Sequence, residues 1–219
     1  NKIEEMLNEI NSMESLFIAD GHHRSAAAAR VKEKFSKKNL NHDGNESNNY
    51  FLAVAFPHSE MTILDYNRII RGLNGQSINS LITNIKKNYS VKKHSKEFKP
   101  ASKNTFGMYI DKNWYELNAI KENINLTDPV KSLDVSILHD TIIEPILGIY
   151  DERTDPRIDF VGGARGLKEL ENRINNDDFD IAFALFPTPI ESLIDVAEAN
   201  KVMPPKSTWF EPKLLDGLL

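Results

Sequence analysis

Apolar residues recur at helical spacing through the first fourteen positions, as Ile3, Met6, Leu7, Ile10 and Met13 with Asn and Glu between them. The pattern predicts an amphipathic helix. Leu16 to Ala19 is a short apolar burst that reads as a strand, punctuated by the turn pair Asp20-Gly21. His22 to Lys38 holds four consecutive alanines and ends in lysines, so a second helix is predicted there. Residues 39–49 are almost without apolar side chains and read as an exposed, mobile loop. Tyr50 to Phe56 reads as a strand closed by Pro57, and Met61 to Tyr66 as another, followed by turns at Gly72 and Gly75. Ser77 to Lys87 carries Ile78, Leu81, Ile82 and Ile85 on one side, a helical stripe.

In the second half, Thr105–Ile110 and Trp114–Leu117 flank Asp111-Lys112-Asn113, a hairpin signal. Asp134 to Leu147 reads as a helix stopped by Pro145 and Gly148. Arg157 to Val161 predicts a strand, and Gly162-Gly163 leads into a helix from Ala164 to Ile174. Asp180 to Phe186 is the most apolar strand candidate, and Pro189 to Ala199 resumes as a helix whose first turn accepts proline. The tail from Asn200 is extended and broken by prolines. Helices alternating with strands, with one hairpin among them, predict an α/β (α+β) fold with a mixed sheet flanked by helices. No linker or repeat divides the 219 residues, which read as one domain; the natural subdivision falls between 1–60 and 61–219.

Composition narrows the functions. There is no cysteine, so disulfides, thiolate metal sites and thiol nucleophiles are absent. The formal charge of -5 argues against a nucleic-acid partner bound through net positive charge. No apolar run reaches the roughly 18 residues that span a bilayer, and no signal peptide opens the sequence, so a cytoplasmic protein without a membrane partner is expected. The basic run from Lys86 to Lys99 reads as solvated surface.

The richest candidate chemistry is Asp20-Gly21-His22-His23-Arg24-Ser25. A glycine turn feeding a helix start lets a ligand approach backbone N–H groups whose dipole favours anions. Arg24 can grip a phosphate, and His22 and His23 can donate to phosphoryl oxygens or move protons. Asp20 can orient a side chain, hold Mg²⁺ or act as a base. The plainer reading is that Asp20 caps the helix and Arg24 pairs with Glu4 or Glu5. A second stretch, Met203 to Phe210, presents Lys206, Ser207 and Thr208 behind two prolines. That trio suits a phosphate or carboxylate, unless Trp209 and Phe210 simply staple the tail to the core. Arg68 and Arg71, after Asp65, and Asp159 with Gly162, Gly163 and Arg165, are weaker anion candidates. His139-Asp140 lacks further ligands at recognisable metal spacing.

The stretches FIADGHHRSAAAA and MPPKSTWFEPKLLDGLL, with RIDFVGGARGLKELE and FALFPTPIESLIDVAEANKVMPPKST between, resemble a prokaryotic family of unknown function labelled SpoOJ/ParA/ParB/RepB-like. The resemblance covers essentially the whole sequence and implies that it is the C-terminal portion of a longer protein, with an N-terminal half as a partner. Gly21, Arg24 and Ala27 are similar to the Gly-x-x-Arg-x-x-Ala of ParB proteins. Gly21, His23 and Arg24 resemble a sulfiredoxin motif whose cysteine is His22 here, which rules out that thiolate reaction; free-serine kinases share the broad fold. What the resemblance implies is a phosphate or nucleotide pocket on Asp20 to Arg24, within a ParB/sulfiredoxin-like element.

Two functions compete. One is a nucleotide-dependent enzyme, a small-molecule kinase or a nucleotidase, with Arg24, Gly21, Ser25, Lys206, Ser207, Thr208 and Arg68 holding nucleotide and Mg²⁺, and Asp20, His22 and His23 carrying the chemistry. The other is a non-catalytic, nucleotide-responsive regulatory module. ParB-like DNA partitioning stands third and needs a basic face. Homo-oligomerisation stays open.

Overall fold

Asn1 accepts the N–H of Ile3 at 3.2 Å and so caps the first helix, α1 (Lys2–Ser12). In the computed structural model, which describes residues 1–38, 43–176 and 179–213, α1 belongs to the first of two units, Asn1–Glu60 and Met61–Leu219. The first unit adds α2 (His22–Ser36) and two short 3-10 turns, Ser47–Asn49 and His58–Glu60. No described residue of this unit is buried. The stripe of α1 falls where the periodicity puts it, yet Ile3, Met6, Leu7, Ile10 and Met13 are all exposed.

The strands expected at 16–19 and 50–56 do not form: neither segment has a ladder partner among the described residues. A strand needs a hydrogen-bonded neighbour as well as β propensity, and Tyr50 to Phe56 has none. Residues 39–42 of the expected loop lie outside the described residues. In 43–49 the Glu46 carboxylate accepts the N–H groups of Asp43 and Gly44 at 3.0 and 3.1 Å.

The second unit is built on a six-stranded sheet in the order β3-β5-β4-β7-β2-β6. Its strands are β2 (Tyr66–Ile70), β3 (Tyr89–His94), β4 (Thr105–Ile110), β5 (Asn113–Ala119), β6 (Ile158–Gly162) and β7 (Ile181–Ala184). A separate ribbon pairs β1 (Thr62–Leu64) with β8 (Trp209–Glu211). Helices α3 (Ile78–Ile85), α4 (Asp134–Leu138), α5 (Gly166–Asn175) and α6 (Ile190–Glu198) complete the unit.

The fold is α/β with a helix-flanked sheet, as the alternation predicts, but every strand pair is antiparallel rather than mixed. The reason lies in the connection β6–α5–β7. Its two strands run parallel, yet β2 inserts between them and is antiparallel to both, a split crossover.

Both faces of the sheet are covered, which explains why Ile181 to Ala184 is apolar at every position. Ile181 and Phe183 join Ile70, Phe106 and Met108 against Leu81, Ile85 and Leu138. Ala182 and Ala184 face the other way, with Ile69, Tyr109 and Trp114 under Leu170 and Ile174 of α5. The hairpin expected around residue 112 is present, with Asp111 and Lys112 both left-handed at φ 49 and 58, the pair of conformations a two-residue turn requires. No described helix is long and apolar enough to cross a membrane.

The double glycine at the end of β6 is accounted for by packing. A Cβ on Gly162 would sit 2.5 Å from Trp209 Cε3, and one on Gly163 would collide with the Asp65 carboxylate. Gly163 also donates its N–H to the Asp65 carbonyl at 2.8 Å. Gly162→Ala is therefore expected to displace Trp209 and destabilise the second unit by about 1–3 kcal/mol. Urea denaturation checks this, and an unchanged midpoint would show that the ring yields without cost.

Candidate functional site

The turn before α2 has the geometry its Asp-Gly pair predicts. Gly21 is left-handed, φ 78 and ψ 24, and stands at the N-cap of α2. Among the described residues no side chain caps this helix end. Asp20 does not take that role, because its Oδ1 accepts the N–H of Gly21 at 2.7 Å, ahead of the helix. The first N–H groups of an α-helix have no intrahelical acceptor, so the start of α2 keeps its donors and its dipole available.

Arg24 folds back over the same turn. A Cβ on Gly21 would lie 3.5 Å from Arg24 Nη2 and 3.6 Å from its Nε, so glycine serves here twice, for its positive φ and for the room it leaves beside the guanidinium. Asp20, His22, His23 and Arg24 are exposed, and Ser25 is half-buried with its N–H on the Gly21 carbonyl at 2.9 Å. Among the described residues no carboxylate lies within ion-pair distance of Arg24, so the pairing with Glu4 or Glu5 does not occur. Neither His22 nor His23 has a hydrogen-bond partner among them.

The other predicted residues lie in the second unit. Arg68, on β2, is 1% exposed. Its Nη1 donates to the carbonyls of Tyr66 at 2.5 Å and Lys206 at 3.1 Å, its Nε lies 3.4 Å from Glu152 Oε2, and its guanidinium stands 5.2 Å from the Phe160 ring centre. Burial pulls Arg68 below the usual arginine range, and Glu152 opposes that pull.

The structure thus brings Arg68 and Lys206 together, but through the lysine backbone. Lys206 is left-handed at φ 56, with Nζ 5.6 Å over Tyr66. Ser207 is buried and donates its hydroxyl to the Pro204 carbonyl at 2.5 Å, while Thr188 donates to the Ser207 carbonyl at 3.0 Å. Thr208 is half-buried beside them. This segment clasps the β1–β8 ribbon to the sheet, and Trp209 meets Tyr66 edge-on at 5.5 Å. Arg68 and Ser207 direct these donors to protein carbonyls rather than to an anion. The last part of the motif, residues 214–219, lies outside the described residues.

The His139-Asp140 pair has acidic neighbours that its spacing does not announce, Glu144 and Glu152. His139 Nδ1 lies 3.0 Å from Glu152 Oε1, and its Nε2 lies 3.5 Å from Glu144 Oε2. Asp140 joins them, with ligand-type atoms of His139, Asp140 and Glu144 all within 4.8 Å of one another. The hydrogen bond to Glu152 raises the His139 pKa against the opposing effect of burial. Positions five apart do not face each other on an α-helix. They do here because residues 139–143 form a π turn, closed by Glu144 N–H on the His139 carbonyl at 2.9 Å.

A family model described as a protein of unknown function, DUF1015, matches residues 1–136. That description agrees with a family of unknown function and does not carry the SpoOJ/ParA/ParB/RepB-like label. No curated protein matches the sequence. Among solved structures, the chain is similar to free serine kinase in complex with AMP, at 14% identity and TM-score 0.46, over 91% of this chain and 68% of that one. It is also similar to a conserved hypothetical protein from Pyrococcus furiosus, at 15% identity and TM-score 0.43, over 91% and 71%. A free serine kinase variant in complex with ADP aligns at 16% identity and TM-score 0.42, over 88% and 66%.

Proposed function

This chain belongs to the DUF1015 family of proteins of unknown function, and we propose that its Asp20–Ser25 turn binds the phosphoryl group of a nucleotide or similar small molecule. The observation that carries the reading is the uncapped helix start at left-handed Gly21, with the Arg24 guanidinium lying over it. A phosphate on that turn receives backbone N–H groups, the positive end of the dipole and a charged fork together. Gly21, Arg24 and Ala27 also keep the Gly-x-x-Arg-x-x-Ala spacing that the ParB resemblance rests on. Within this reading Mg²⁺ accompanies the nucleotide as a counter-ion for its phosphates, with Asp20 the nearest carboxylate in sequence.

Binding without turnover is the form of this reading that the geometry favours. A general base is oriented by a further group, and neither His22 nor His23 has such a partner among the described residues. A small-molecule kinase or nucleotidase would need that orientation from elsewhere.

Equilibrium dialysis with radiolabelled AMP, ADP and ATP, with and without Mg²⁺, tests the proposal. Arg24→Ala is expected to weaken binding about 10- to 100-fold, the value of a charge-assisted hydrogen bond. Equal affinity in wild type and Arg24→Ala would refute it. Phosphate release measured in the same samples separates a binding module from an enzyme.

A further inference from the structure

Around His139 the carboxylates outnumber the cations. The π turn that follows α4 sets Glu144 beside His139, with Oε2 3.5 Å from Nε2. Asp140 brings a further ligand-type atom within 4.8 Å of those two. Glu152, from the loop before β6, takes the other ring nitrogen, its Oε1 3.0 Å from Nδ1. Glu152 has a basic partner in buried Arg68 at 3.4 Å. Among the described residues no lysine or arginine lies within ion-pair distance of Asp140 or Glu144.

A surface histidine paired with one acid would be an ordinary ion pair of small effect. Two observations set this one apart. One imidazole, even when protonated, cannot neutralise both Asp140 and Glu144. The ring is also oriented from outside the turn: Glu152 is 8% exposed and anchored by Arg68, and as a carboxylate it accepts the proton of Nδ1. The lone pair of Nε2 is then left toward Asp140 and Glu144. A carboxylate on one ring nitrogen is what a metal-ligating histidine carries almost always, because it fixes the tautomer and raises the basicity of the other nitrogen. The spacing agrees. Ligands at about 2.0–2.2 Å from a tetrahedral ion stand roughly 3.4 Å apart, beside the 3.5 Å between Nε2 and Glu144 Oε2. Asp140 and Glu144 are exposed, so rotation about their own side-chain bonds closes the remaining distance.

We propose that His139 Nε2, Asp140 and Glu144 bind a divalent transition-metal ion of the zinc type, with Glu152 and Arg68 holding the imidazole from behind. A ring nitrogen beside two carboxylates suits Zn²⁺ and its neighbours, whereas Ca²⁺ and Mg²⁺ take oxygen ligands. Three protein ligands leave one position of the ion for water or for an oxygen of a bound molecule. The site is independent of the turn at Gly21, which lies in the other unit.

Zn²⁺ alone is the probe, held at set free concentrations by a chelator buffer. The test uses the full chain labelled with ¹⁵N at histidine, carrying His22→Ala and His23→Ala so that the histidines of the Gly21 turn contribute nothing. Imidazole nitrogen NMR reads each ring, and His139→Gln assigns the resonances of His139. Zn²⁺ is expected to move the Nε2 resonance of His139 saturably and to leave those of His58 and His94 in place. Asp140→Asn with Glu144→Gln, both at exposed positions, is expected to raise the midpoint about tenfold or more, since loss of an outer partner of a ligand by itself costs about 10- to 100-fold. A His139 resonance that Zn²⁺ does not move, or an unchanged midpoint in the double variant, would overturn the proposal.

Discussion

Arg68→Met is expected to lower the stability of the second unit by about 3–5 kcal/mol, the cost of breaking a buried ion pair by removing one partner, here leaving Glu152 with His139 alone. The Arg68 side chain is 1% exposed and that of Glu152 8%, so water cannot take over from the lost guanidinium. Two backbone acceptors, the carbonyls of Tyr66 and Lys206, lose their donor in the same step. The second of these ties residues 204–208 to the sheet, so the β1–β8 ribbon is expected to loosen as well.

A double-variant cycle separates the charge from the shape. Glu152→Gln alone leaves Arg68 buried without a counter-charge and is also destabilising. Combined with Arg68→Met it removes both charges, and the pair is expected to recover part of the loss, because an ion pair replaced by neutral groups of similar volume is often close to neutral. Urea midpoints of the four proteins decide it. If Arg68→Met unfolds at the wild-type midpoint, the guanidinium is not held as the structure places it.

That arginine marks where the sequence stops being informative. A charged residue in an apolar strand looks like an edge or a site, and only the fold reveals that its partner stands 84 positions later in a loop. The same limit hides Glu144 beside His139, since a π turn leaves no periodic trace. Strand β3 was also obscured: in YSVKKH just Tyr89 and Val91 turn inward, and the lysines around them read as surface. By contrast, β7, the 105–119 hairpin, α3 and α6 were legible because period and turn chemistry agreed with burial. Tyr50 to Phe56 shows the converse, a strand-like composition with no neighbour to pair with. At the candidate site, the Asp-Gly dipeptide foretold a left-handed turn at a helix start. It carried no information on where the guanidinium of Arg24 would lie.

Asp134→Asn is expected to stabilise the second unit at pH 8 and to make no difference at pH 4. The first residue of α4 is buried, its Oδ1 accepting the N–H of left-handed Asn104 at 2.9 Å while its Oδ2 has no partner among the described residues. Burial pushes the carboxyl up to about 6, against the lowering effects of the Asn104 N–H and of Lys103. A carboxyl with a folded pKa above its unfolded one binds its proton more tightly in the folded state. The charged form is therefore a penalty that is complete above about pH 6, shrinks as the pH falls and is gone below about pH 4. Two pKa units correspond to about 3 kcal/mol. Asparagine keeps the acceptor for Asn104 and removes the charge, so its gain at pH 8 should approach that figure, a rise in Tm of about 5–10 °C for a unit of this size. Thermal unfolding followed by circular dichroism between pH 4 and 8 measures the gap. A gap that stays constant across that range would show that the substitution acts through packing and not through the charge.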